Sequence, residues 1–187
     1  MSPLFFALLG AFLLGLGARD QLIVAQLRDR LGASGAMLTV GVLGAVLTAC
    51  LAAWAGAQLG EMLSASARTM FVAFALGLAA FELAWPNRLA PLREPTRSLG
   101  AIALVLLSRQ ATDAARLLVC ALAAALATPG WAALGGAIGG AGAVALGWSL
   151  GGKLETHLPL RAIRVGLAVL LAIGAVAMAL SARGLID

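Results

Sequence analysis

Apolar residues run through this chain in six long stretches separated by short polar links, and they do not alternate with polar residues as a half-buried strand requires. The stretches are rich in alanine and leucine. They predict helical spans at about Leu4–Leu27, Ala36–Leu63, Arg68–Trp85, Ser98–Ala127, Trp131–Leu154 and Leu160–Leu185. A helix needs ~20 apolar residues to cross the hydrocarbon core of a bilayer, and every stretch reaches or approaches that length. The links between them have physical causes. Arg28-Asp29-Arg30 closes the first run with charge, Ser64-Ala65-Ser66 makes a tight link, and Thr128-Pro129-Gly130 is a short uncharged turn. Glu155–Pro159 closes the link before the last span. The one substantial loop holds Pro86, Pro91 and Pro95 among Arg88, Arg93, Glu94 and Arg97. Proline there removes helix donors and keeps the backbone extended.

Composition turns this pattern into a fold class. Of 187 residues, 62% are hydrophobic and 11% charged, and the mean hydropathy is +1.01. A soluble domain carries roughly 25% charged residues. So much apolar surface has no place in water, and the expected fold is an all-α integral membrane protein without a soluble domain. The apolar N-terminus has no basic region ahead of it and no clear small-residue cleavage site, so it reads as a retained first helix. The net charge of +5 does not point to nucleic acid, because the basic residues lie between apolar runs and not in an aromatic-interleaved patch. Cys50 and Cys120 fall inside apolar runs and read as buried thiols. The sequence has no P-loop and no cluster of His and Cys with metal-ligand spacing, and no nucleophile–base pair suggests an enzyme. No cofactor is expected.

Charge also sets an orientation. The links after the first, third and fifth spans, with the adjoining helix ends, hold Arg28, Arg30, Arg88, Arg93, Arg97, Lys153, Arg161 and Arg164. The opposite side holds Arg68 and Arg183. The positive-inside rule then places the three basic links in the cytoplasm and both termini outside, in a bacterial inner membrane. With three spans per half, the second half is inverted relative to the first. Residues 1–85 form one three-helix repeat, 86–97 a cytoplasmic loop, and 98–187 the second repeat. The halves resemble each other in sequence. Gly56–Leu63 and Gly147–Leu154 share G-x-x-L-G-x-x-L, and Gln21–Leu27 lies against Arg116–Leu122 at a similar offset. Inverted repeats are a common architecture of secondary transporters, with the substrate site at the midplane between halves.

The candidate site lies where charge is expensive. The first span carries Arg19, Asp20 and Gln21, and the fourth carries Arg109, Gln110, Thr112, Asp113 and Arg116. A charge at the bilayer centre costs at least ~2.5–3.5 kcal/mol, so something must offset it. Arg109, Asp113 and Arg116 share one helix face by their spacing, and Asp113 can pair with either arginine. Asp20 can answer Arg109 or Arg116 across the helix pair, and Arg19 can answer Asp113. Two readings stand: a structural ion-pair lock between helices, or a polar pathway and binding site. Glu82 near the end of the third span reads as an interfacial carboxylate, Gln58 and Glu61 likewise, and His157 as a solvated loop residue. Gly135, Gly136, Gly139, Gly140, Gly142 and Gly147 read as close helix packing, or as a pivot.

The layout resembles a family of small cation/proton exchangers (uncharacterised protein family sixteen), which includes the eukaryotic Golgi manganese transporter and bacterial manganese exporters. The likeness covers nearly the whole chain and is best at Leu146–Gly166, LGWSLGGKLETHLPLRAIRVG. In that family each half opens with a helix carrying Glu-x-Gly-Asp-Lys/Arg-Ser/Thr-Gln. Here the first motif reads Gly15-Leu16-Gly17-Ala18-Arg19-Asp20-Gln21, keeping Gly17, Arg19 and Gln21. The second reads Gln110-Ala111-Thr112-Asp113-Ala114-Ala115-Arg116, keeping Asp113, with Gln110 in place of the glutamate and Arg116 in place of the final glutamine. The resemblance implies a secondary transporter that exchanges a divalent cation, Mn²⁺ or Ca²⁺ as substrate, for protons. Asp113, Asp20, Gln21 and Gln110 would be its metal ligands, and Arg19, Arg109, Thr112 and Arg116 would line the pathway. Asp20 and Asp113 stand against Arg19, Arg109 and Arg116, whereas a hard divalent cation prefers several anionic oxygens. Two alternatives therefore remain: a non-transporting paralogue or partner subunit, and a carrier of an anionic or polar solute. The partners expected are the lipid bilayer and a small ion or solute, with homo- or hetero-oligomers left open.

The orientation gives a direct expectation. In a background lacking Cys50 and Cys120, Arg93→Cys resists an impermeant thiol reagent added to intact cells and reacts after the membrane is opened. Ready labelling in intact cells reverses the topology.

Overall fold

Away from water an apolar chain can satisfy its own amides within one segment as helix, or between strands in a closed barrel, and among the described residues this chain forms helix. The computed structural model describes residues 3–86, 98–154 and 159–185. Among these, the helices are α1 Pro3–Gly15, α2 Arg19–Leu31, α3 Gly35–Met62, α4 Ala65–Ala84, α5 Leu99–Ala111, α6 Ala114–Leu126, α7 Pro129–Leu150 and α8 Leu160–Ala182. Four of them, α3, α4, α7 and α8, are long and apolar enough to cross a bilayer, and α1 with α2 makes a fifth candidate bent by 57°. The shorter helices α5 and α6 are apolar but do not qualify by length. Nearly all of the proline-rich loop, residues 87–97, lies outside the described residues, as do Glu155, Thr156, His157 and Leu158.

Two sequence expectations are corrected. The runs Leu4–Leu27 and Ser98–Ala127 are not continuous helices: each is two helices of 13 residues with a break at its middle. Gly17, with φ +67°, turns the first break, and Asp113 starts the second half-helix. The second correction is smaller. Arg28-Asp29-Arg30 does not end the first run, since α2 continues to Leu31 and stops at Gly32, whose φ is +88°. Charge at a membrane surface is compatible with helix, whereas left-handed backbone is not.

Packing rests on α7 and α3, whose glycines are spaced to admit neighbouring backbones. A Cβ on Gly135 would run into the carbonyl of Leu4, and one on Gly139 into the carbonyl of Leu8, so α1 lies directly on α7. On α3, a Cβ at Gly56 would meet the Cys120 carbonyl, and one at Gly60 would stand 2.9 Å from the Ala124 carbonyl. These are four-residue repeats of small side chains, the spacing that lets helices touch along one stripe. The main apolar core fills in around them with Ala53, Val72, Leu83, Leu118, Val119 and Leu122. α8 packs on α4 but presents Val165, Val169, Leu170, Ile173 and Val176 outward, a face suited to lipid.

Several polar contacts gather the basic ends at one end of the bundle. The Asp29 carboxylate accepts from Gly152 N–H at 2.6 Å, Trp148 Nε1 donates to Ser34 O at 3.1 Å, and Arg161 donates to Ala84 O at 2.8 Å. The exit of α2, the exit of α4 and the α7–α8 link therefore share a face.

The glycine stripe makes a prediction. Gly139→Ala forces α1 off α7 and lowers stability by about 1–3 kcal/mol, read as a fall in melting temperature in detergent. Gly166→Ala, where nothing lies within 4 Å, leaves the melt unchanged. Equal effects at both positions contradict this packing.

Candidate functional site

The two helix breaks come together. Around them lies a cavity of about 740 Å³ lined by Arg19, Asp20, Glu82, Arg109, Thr112, Asp113 and Arg116, with Phe81 and Trp85 on its apolar side. α2 and α6 both begin here. Their first amide groups have no partner within the helix, and their dipoles present a partial positive charge.

Each break is satisfied by named groups. At the second, Asp113 is the N-cap of α6 and accepts from Ala115 N–H at 3.3 Å, while Glu82 reaches from α4 to accept from Ala114 N–H at 3.0 Å. At the first, Gln21 Oε1 accepts from Gly17 N–H at 2.7 Å, and Asp20 accepts from Gln21 N–H at 2.8 Å. Arg164, on α8 and almost fully buried, donates to the Leu16 carbonyl at 3.3 Å and to the Glu82 carbonyl at 2.9 Å. The second of these has a covalent cause. The Glu82 carbonyl would take its helical bond from residue 86, which is a proline without an N–H.

The expected site residues divide into two groups. Arg19, Asp20, Arg109, Thr112, Asp113 and Arg116 line one cavity. Gln21 and Gln110 do not; both are fully buried in helix contacts. Gln21 Nε2 donates to Ala143 O of α7 at 2.8 Å, and Gln110 Nε2 donates to Gly41 O of α3 at 3.3 Å. Thr112 spends its hydroxyl on the Ser108 and Arg109 carbonyls at 2.9 and 3.3 Å. Asp113 and Asp20 make no ion pair within 4 Å with Arg109 or Arg116. Arg116 instead donates from Nε to Thr48 Oγ1 on α3 at 2.8 Å. Asp20, Glu82, Arg116 and Arg164 are among the charges that bear on the Asp113 carboxyl.

Glu82 and Arg164 stand at the breaks, a place sequence reading did not give them: it took the first as an interfacial carboxylate and the second as one of the topology-setting basic residues. The signal for both was Pro86, four residues past Glu82, which leaves a carbonyl in need of a donor. With Glu82 present, the cavity wall holds three carboxylates, Asp20, Glu82 and Asp113, against three guanidinium groups, Arg19, Arg109 and Arg116. The formal balance is zero. Among the described residues, no three His, Cys, Asp or Glu side chains come close enough to hold a metal ion.

Compared with known proteins, the chain finds no matching family model, curated protein or solved structure.

Because Asp113 is an N-cap, its substitutions separate. Asparagine caps a helix as well as aspartate does, so Asp113→Asn melts close to the wild type, while Asp113→Ala loses about 0.5–2 kcal/mol. Detergent melting of the two variants checks this. An equal, large loss in both returns Asp113 to the role of a charge lock.

Proposed function

We propose that this protein is a secondary transporter of the bacterial inner membrane. Its six spans form two inverted three-helix halves, and its solute site is the cavity where the two broken helices meet. The observation that carries the reading is the mid-length break of the first span in each half, at the acid-bearing segment, with both breaks opening on one cavity. Discontinuous helices whose half-helix N-termini face a midplane site are the usual construction of such carriers. Irregular backbone at membrane depth is tolerated where it is buried in protein or lines a cavity.

The halves also exchange roles in their packing. α1 lies on α7 as α5 lies on α3, α2 reaches α7 as α6 reaches α3, and α3 pairs with α7 as α4 pairs with α8. The N-caps Ala18 and Asp113 stand the same number of positions apart as the sequence match of Gln21–Leu27 to Arg116–Leu122. The described basic residues beside the helix ends at one end of the bundle, Arg28, Arg30, Lys153 and Arg161, favour both termini outside. In this reading Asp113 is the central ligand or proton carrier, with Asp20 beside it, and the two halves rock about the site to give alternating access.

The rival reading as a structural lock needs Asp113 paired with an arginine. Asp113 instead spends one oxygen on a helix N-terminus, at 3.3 Å from Ala115 N. As for cargo, the resemblance favours Mn²⁺ or Ca²⁺. The balanced charge of the wall, with Gln21 and Gln110 turned into helix contacts, favours the alternative of a polar solute that carries charge.

Reconstitution tests the proposal. Proteoliposomes holding the wild type take up at least one of Mn²⁺, Ca²⁺, a small carboxylate or an amino acid when a pH gradient is imposed, and those holding Asp113→Asn do not. Equal uptake by wild type, Asp113→Asn and empty vesicles for every solute leaves the non-transporting paralogue as the better reading.

A further inference from the structure

Arg116 is only 5% exposed, yet its side chain forms part of the cavity wall. The Nε–H···Thr48 bond at 2.8 Å is the hydrogen bond its side chain makes among the described residues. Thr48 is itself fixed, since its hydroxyl donates to Gly44 O at 2.8 Å and so turns a lone pair to Arg116. The two terminal nitrogens have no acceptor among the described residues. They lie over Gly140 of α7, where a Cβ would stand 2.7 Å from Nη2 and 3.1 Å from Nη1. Glycine at this position makes the space the guanidinium occupies. The side chain is held at one edge, and the opposite edge keeps its forked pair of donors unspent. The fork is the geometry that takes a planar carboxylate by two parallel bonds.

Charge narrows the ligand further. The wall carries both signs, with Asp20, Glu82 and Asp113 beside Arg19, Arg109 and Arg116, and Arg164 acts on it from behind. A bare divalent cation would meet guanidinium groups as well as carboxylates, and a bare carboxylate would meet carboxylates as well as guanidinium groups. A solute that carries one charge of each sign has a partner for both ends. The cavity volume, about 740 Å³, lies within the usual range of small-molecule sites, ~300–1,000 Å³.

We infer that Arg116 recognises the carboxylate of the carried solute, and that this solute also bears an ammonium group answered by Asp20, Asp113 and Glu82: a small zwitterion of the amino-acid type. The inference rests on the transporter reading above and names its cargo. Arg116 is then the specificity-determining residue, and Thr48 and Gly140 are the positioning residues that aim it.

The test uses the purified full-length protein in detergent and follows its melting temperature. The probes are the common amino acids one at a time, acetate and methylamine as the separated halves of glycine, and the chlorides of Mn²⁺ and Ca²⁺. At least one amino acid is expected to raise the melting temperature in a saturable way. Acetate and methylamine, alone or mixed, are expected to have no effect at the same concentration. Arg116→Lys keeps the charge and loses the fork, so binding weakens by on the order of ten- to a hundredfold. Gly140→Ala, which pushes on Nη2 without touching the charge, shifts affinity in the same direction and serves if the lysine variant does not fold. The selectivity of the wild type between the amino acid and its fragments stands whatever the variants do. No stabilisation by any amino acid overturns the inference. So does an equal shift from acetate alone, or stabilisation by Mn²⁺ or Ca²⁺ that Arg116→Lys leaves unchanged. The transporter reading fails separately, if an amino acid binds as expected but never accumulates in reconstituted vesicles.

Discussion

A helix interrupted in the middle of an apolar slab exposes amide and carbonyl groups that lipid cannot bond, and every such group must find a partner within the protein. This chain breaks two helices at mid-length, and the arrangement of its polar residues follows from that constraint. Gly17 N–H is taken by Gln21, Leu16 O by Arg164, Ala114 N–H by Glu82 and Ala115 N–H by Asp113. Pro86 adds one more orphan, the Glu82 carbonyl, and Arg164 takes that as well. Charges that would each cost at least ~2.5–3.5 kcal/mol in a continuous membrane helix sit where broken backbone gives them a task. The carboxylates meet the positive ends of half-helices, and a buried guanidinium meets bare carbonyls.

Glycine makes these contacts reachable. Close packing of α1 on α7 and of α6 on α3 needs side chains no larger than hydrogen at Gly135, Gly139 and Gly56. The same helices present further glycines to the polar residues themselves. Gly140 lies under the Arg116 guanidinium, Gly147 under Gln21 and Gly44 beside the Gln110 amide. Packing and polar architecture are one arrangement here. A small-residue stripe brings backbones together along one line, and its neighbouring glycines leave room for the long side chains that cross between the halves.

Much of this was legible in the sequence. The all-helical class and the approximate bounds of the apolar runs follow from composition and from the absence of alternation. The clustering of Arg19, Asp20, Arg109, Thr112, Asp113 and Arg116 followed from asking where charge is unaffordable without a partner. The breaks were not legible, because Leu4–Leu27 and Ser98–Ala127 read as single apolar runs. Nothing in hydropathy distinguishes a charged residue held on a continuous helix from one that caps a new helix. Asp113 satisfies the spacing rule for a shared face with Arg109 and Arg116, yet it lies at a helix start, where that rule does not hold. Gln21 and Gln110 looked like ligands through their places in the family motif, and only packing shows that their amides donate to helix carbonyls. Glu82 was read in isolation, although Pro86 four residues on already implied an unmatched carbonyl at that turn.

The two breaks are held by different chemistry. At the first, one glutamine bridges Gly17 N–H and Ala143 O, and an arginine takes the Leu16 carbonyl. Neither of these groups changes its charge over the pH range in which proteins work, but Asp20 beside them, which accepts from Gln21 N–H at 2.8 Å, is a carboxylate. At the second, the first two amides of α6 are taken by two carboxylates, Asp113 from its own chain segment and Glu82 from α4. Two like charges share one helix start, each stabilised by the dipole and opposed by the other. A cationic group placed there relieves that repulsion. Although the halves pair their helices in matching ways, the first break carries one carboxylate at its helix start and the second carries two.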